Sequence, residues 1–320
     1  MFSALEEIRQ RAASLSKRII YVGPEGKHLP EAVGRISRTG LANPILLAPR
    51  EGIGARPSAQ PLSGDVQVVG MEAEKLDHYA RLLMEDCRAR GFGELEIREK
   101  LKEAEVYAVA MIRAGEADAL ILGPGSAARG GLDPVVQLRD GKKLPWRSYL
   151  VAWPDGSPSR NLLFADVAGH VAADPSELAE IGLEAVELTR SLLKSPPSVA
   201  FLAPRVIAEL KRPSKLNSAT FRLRRRVEEA VATLQARQES LAVDSAIHSW
   251  LPSSSTAKGP NTYIFADPQL GNVASQLRRA CTGSRVLGEV LLGFGQPTGC
   301  LEADATVDDI LDITAFTALS

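Results

Sequence analysis

The run Thr262-Tyr263-Ile264-Phe265-Ala266, stopped by Asp267-Pro268, is β-branched and aromatic, so it reads as a buried strand that hands over to a helix. The same unit recurs along the chain. Ile19–Gly23 precedes a helical period over Leu29–Arg38 and a second strand, Pro44–Leu47. A Gly-, Pro- and Ser-rich loop leads to a third strand, Val66–Val69, and two helices are predicted across Glu72–Ala114. Ala119–Gly123 closes at Pro124-Gly125-Ser126 and runs into a helix, and Ser198–Leu202 is a further strand. Strands alternating with helices predict an α/β chain with mainly parallel sheets. Ligands of such sheets sit at the carboxyl ends of the strands. Gly271 and Asn272 stand at one of these ends, where a glycine lets a ligand approach the backbone and a starting helix offers N–H groups to it.

The second half has its own grammar. Lys142–Trp146 is the predicted crossing into a second domain. Ser148–Trp153 turns at Pro154-Asp155-Gly156 and returns as Asn161–Asp166, a hairpin by its turn chemistry. Asp174-Pro175-Ser176-Glu177 opens an amphipathic helix with proline at its first position. The basic segment Lys211–Arg226 reads as a solvated helix face, and Thr306-Val307-Asp308-Asp309-Ile310 as the entry to a last helix. With 38 basic and 39 acidic residues, nothing in the net charge attracts nucleic acid or an anionic membrane, so any anion site is local. No apolar run reaches the length of a membrane span. Cys87, Cys281 and Cys300 lack zinc or disulfide spacing, which suits a reducing cytoplasm.

Order and spacing in the last fifth of the chain carry a resemblance. Ile264-Phe265-x-Asp267-x-x-x-Gly271-Asn272, then Gly288, Gly293 and Pro297, then Val307-Asp308-Asp309-Ile310 resemble the end of a protein of the phosphate acetyl/butyryl transferase family. Ala42–Leu47, Gly115–Ala119, Phe164-Ala165-Asp166 and Leu178–Ile181 fit the same pattern, so the likeness covers nearly the whole chain. It implies two α/β lobes flanking a cleft, as in isocitrate and isopropylmalate dehydrogenases. Residues 1–143 with 288–320 would form the first lobe and 144–287 the second. It also implies a homodimer, coenzyme A, acyl-CoA or acyl phosphate as ligand, and no cofactor or metal.

The family's reaction, acyl-CoA plus phosphate to acyl phosphate plus coenzyme A, needs a base for the thiol proton and donors for phosphate and developing charge. The resemblance puts the base at Asp309; read from the residues alone, Asp309 is a carboxylate favoured by a helix N-terminus. The family's Leu-Ser-Arg-Gly tetrad falls on Leu301-Glu302-Ala303-Asp304, so the serine and arginine are absent. Two further family arginines fall on Asp133 and Cys87, the family cysteine on Val167, and the glycine-rich phosphate turn on Ser214–Ser218. Ser126, Gly271, Asn272, Glu302 and Asp304 line the implied substrate site, with Arg129 able to replace the missing Asp133 arginine or to pair with Asp133 one turn on. His170 takes the place of a family asparagine; a lone histidine after a strand is more often packed or solvated than catalytic.

Three functions stay open on these residues. The chain is an acyltransferase that has lost catalysis and is kept for binding or regulation; it is an active acyltransferase using Asp309 and Arg129; or it gathers Glu302, Asp304 and Asp309 around a cation such as Mg²⁺ or Mn²⁺.

Overall fold

The computed structural model describes residues 4–23, 26–48, 65–88, 91–124, 144–153, 161–167, 173–193, 195–203, 219–238, 241–244, 259–267, 270–293 and 295–320. Two compact units emerge, one from Ala4–Lys142 with Gly288–Ser320, the other from Lys143–Leu287.

The first unit is a parallel sheet in the order β3 (Gln67–Gly70), β2 (Asn43–Ala48), β1 (Arg18–Val22), β4 (Ala119–Leu122) and β11 (Thr298–Cys300), with β10 (Arg285–Leu292) antiparallel to β11. Register places Ile20 between Ile45 and Leu120. Every residue of β4 is buried, as in a strand covered on both faces. The last helix, α9 (Val307–Leu319), is buried at every position from Ile310 to Ala318, so it is a core helix rather than a surface one. It lies close on β11 because Gly299 has no side chain: a β-carbon there would stand 2.6 Å from Thr317 Oγ1 and 2.9 Å from Ile313 Cγ2. Inside the core Tyr21 Oη and Thr314 Oγ1 share a hydrogen bond of 2.9 Å. The helices α1 (Ala4–Ala13) and α2 (Leu29–Thr39) pack on α9.

Glu72–Ala114 does not form two helices. A 3-10 turn, Ala73–Lys75, precedes α3 (Leu76–Arg88), α4 (Glu94–Lys100) and α5 (Ala104–Arg113). Gly91 takes φ +85° and ends the first, and the turn in which Glu103 N donates to Lys100 O ends the second.

In the second unit the order is β5 (Trp146–Ala152), β6 (Leu162–Val167), β9 (Thr262–Phe265), β7 (Ser198–Leu202) and β8 (Ala242–Val243). β5 and β6 pair antiparallel, as the turn residues between them predict; the other pairs are parallel. One face carries Tyr149, Val151, Phe164, Tyr263 and Phe265, with Phe164 edge-on to Tyr263 and Phe265, and Ala274 of α8 (Leu270–Thr282) packs against it. The opposite face meets α6 (Pro175–Leu193), where Gly182 comes close to Phe201 and to Leu234 of α7 (Ala219–Arg237). A capping box opens α6: Asp174 N donates to Glu177 Oε2 (2.8 Å) and Glu177 N to Asp174 Oδ1 (2.9 Å). On α7, Arg224 and Arg225 pair with Glu228 and Glu229 one turn on, the contacts of a solvated charged face.

Candidate functional site

Because β1, β4 and β11 are parallel, their carboxyl ends fall at one edge of the first unit, which brings together Gly23, Gly123 and the segment from Leu301 to Thr306. Gly123 N donates to Val22 O (2.7 Å) and Leu301 N to Leu122 O (2.9 Å), so sheet hydrogen bonding runs one residue past each strand. Only glycine fits at 123, since a β-carbon would press into the Val22 and Gly23 carbonyl oxygens. Leu301 is buried, and Glu302, Ala303 and Asp304 are exposed on a turn closed by Ala305 N donating to Glu302 O (3.2 Å).

Thr306 then caps α9. Its extended backbone (φ −76°, ψ 168°) lets Oγ1 accept from Asp309 N (3.2 Å), while Asp309 Oδ2 accepts from Thr306 N (3.0 Å) and from Thr306 Oγ1 (2.6 Å). Asp309 is thus the acidic half of a capping box in the first turn of α9. The neighbouring Asp308 turns to Arg9 of α1 and Arg35 of α2. Glu302, Asp304, Asp308 and Asp309 bring negative charge to this edge, yet among the described residues no three His, Cys, Asp or Glu side chains group as metal ligands would.

In the second unit the matching edge belongs to β6, β9 and β7. Asp166 lies there with no exposure, 3.5 Å from Arg147 Nη2 on β5, its register partner. The helix after β9 begins at Leu270, whose N donates to the Asp267 carbonyl (3.2 Å). Gly271 and Asn272 therefore lie in the first turn of α8. Gly271 is buried, and the close approach that its missing side chain permits is made by Asp166.

Cys87 is fully buried in α3. Ser126, Arg129, Asp133, His170 and Ser214–Ser218 lie outside the described residues. Sequence reading missed Arg9, Arg35 and Asp312, whose contacts join chain segments about three hundred residues apart and leave no local signal. It also missed the Arg147–Asp166 pair, although β-hairpin register could have found it, since the two residues sit opposite each other across the turn.

A family profile described as phosphate acetyl/butaryl transferase matches residues 3–318. A phosphate acetyltransferase of Acetivibrio thermocellus is 27% identical over an alignment that covers 99% of this chain and 98% of the relative. One from Clostridium acetobutylicum is also 27% identical, covering 98% and 97%. Among solved structures, a phosphotransacetylase from Streptococcus pyogenes superposes with a TM-score of 0.76 at 20% identity, over 99% of this chain and 97% of the other, which speaks for the fold.

Proposed function

From the premise that the chain belongs to the phosphate acetyl/butaryl transferase family, we propose that it is a phosphate acyltransferase homologue with impaired or lost catalysis, kept to bind or regulate. Its ligand is of the coenzyme A or acyl phosphate class. The observation that carries this reading is the turn before α9, where Glu302 and Ala303 stand exposed at the positions that the family likeness gives to a serine and an arginine. A hydroxyl donor has become a carboxylate, and a guanidinium a methyl group. A carboxylate about 4 Å from a phosphate charge costs about 4 kcal/mol at an effective dielectric of about 20. Binding that leaves the transition state without donors does not accelerate the chemistry.

Asp309 supports the same reading. As the base, its carboxylate would take a thiol proton; here Oδ2 is already engaged at the helix entry, accepting from the Thr306 amide and hydroxyl. Substrate binding is proposed for Ser126, Arg129, Gly271, Asn272, Glu302 and Asp304. The reading extends to two lobes divided at about 143 and 287, to a homodimer, and to the cytoplasm, which the absence of a disulfide among Cys87, Cys281 and Cys300 suits. No described helix is long and apolar enough to cross a membrane.

Calorimetric titration with coenzyme A and with acetyl phosphate, run beside a thiol-release assay, tests it. Saturable binding with little or no turnover supports the reading. Binding with turnover that Asp309→Asn abolishes contradicts the loss of catalysis, and no binding of either compound contradicts the ligand class.

A further inference from the structure

One guanidinium grips the start of α9 from a different helix. Arg9 Nε donates to Asp312 Oδ1 at 2.6 Å, Nη1 and Nη2 each reach Asp308 Oδ1 at 3.3 Å, and Nη2 also donates to the Asp308 backbone carbonyl at 3.0 Å. Asp312 is 1% exposed, so its charge is compensated inside the protein. Arg35 stands 3.6 Å from the same Asp308 oxygen on α2. Burial alone would lower the Arg9 pKa, but Asp312 and Asp308 outweigh it and the guanidinium is held more firmly charged than usual.

Positions 308 and 312 are one turn apart on one side of the helix, and Asp309 follows about 100° further round. Three acceptors held by one planar fork fix the rotation of the first turn about its axis, and with it the direction in which the Thr306–Asp309 cap, and so the Asp309 carboxylate, faces. A lysine ammonium is a point charge and cannot hold all three in one geometry. The fork also draws Asp308 into an ion pair on a segment that carries four carboxylates between residues 302 and 309.

We infer that Arg9 is a positioning residue for the Asp309 carboxylate, acting through Asp308 and Asp312. The functional part of this inference rests on the reading that gives Asp309 the place of the family's base; the positioning itself does not.

Carboxyl-carbon NMR and amide exchange on the full chain, for wild type, Arg9→Lys and Asp308→Asn, test it. The expected result is a displaced Asp309 carboxyl resonance in both variants, with the Asp309 and Ile310 amides exchanging about tenfold faster or more. The Asp118 carboxyl, held by Arg18 elsewhere in the unit, should stay in place as the control. If Arg9 merely packs α1 onto α9, Arg9→Lys keeps the charge facing Asp312 and leaves the Asp309 resonance and amides as they were; that result overturns the inference. Asp308→Asn keeps the side-chain volume and the backbone carbonyl, so it reads the same contact should Arg9→Lys fail to fold. Coenzyme A added to the wild type reports separately on function: failure to bind contradicts the functional reading and leaves the Arg9 outcome intact.

Discussion

Asp166 lies directly against Gly271, so close that a β-carbon on Gly271 would stand 2.6 Å from Asp166 Cβ and 2.9 Å from Oδ2. The first turn of α8 can rest on the buried Asp166, paired with Arg147, only because residue 271 has no side chain. Gly271→Ala should therefore cost about 1–3 kcal/mol through overpacking, read as a lower urea midpoint at unchanged slope. Adding Asp166→Ala should give no rescue, since the nearest atom is the β-carbon that alanine keeps. A neutral Gly271→Ala, or a rescue, would contradict this packing.

The Thr306 hydroxyl is used twice at the entry to α9, accepting from Asp309 N and donating to Asp309 Oδ2. Thr306→Ala should lower stability by about 1 kcal/mol, the usual worth of such a cap. Thr306→Ser, which keeps the hydroxyl, should recover most of it. Equal losses for alanine and serine would assign the effect to the methyl group instead of the cap.

Arg18 holds Asp118 through its side chain at 2.9 and 3.2 Å and through its amide at 2.8 Å, and bonds Gly115 O at 2.7 Å. The Arg18 hydrogen bond, opposed in part by burial, sets the Asp118 carboxyl below its ordinary value. A depressed folded-state pKa adds stability above the unfolded value of about 3.9, and that stability is lost as pH falls through the folded value. Both groups are substantially solvated, so the pair is worth no more than about 1 kcal/mol. Asp118→Asn should destabilise near neutral pH, with the deficit shrinking below about pH 4. A deficit independent of pH, measured by urea midpoints on either side of that value, would contradict the assignment.

The parallel framework was legible because each strand announces itself locally. Ile19–Gly23 and Ala119–Gly123 are apolar runs stopped by turn residues, and the structure makes them β1 and β4. β10 and β11 were not, since Gly288, Gly293, Gly295 and Pro297 interrupt the pattern and the strands are completed by pairing with each other and with β4. Two-residue β8 carries too little pattern to be read at all. At the site, the Thr306 cap could be foreseen from four consecutive residues. The hold of Arg9 on Asp308 and Asp312 could not, because it depends on tertiary packing of the first helix against the last.

Lost catalysis is tested most directly by thiol release from acetyl-CoA in the presence of phosphate. A single preorganised donor is worth about two to three orders of magnitude in rate. With Glu302 and Ala303 in place of two such donors, turnover should be absent or very slow. Glu302→Ser combined with Ala303→Arg should raise it. Wild-type turnover within the ordinary enzymatic range of about 1 to 1,000 per second, lost in Asp309→Asn, would contradict the loss of catalysis and make the chain a working phosphate acyltransferase.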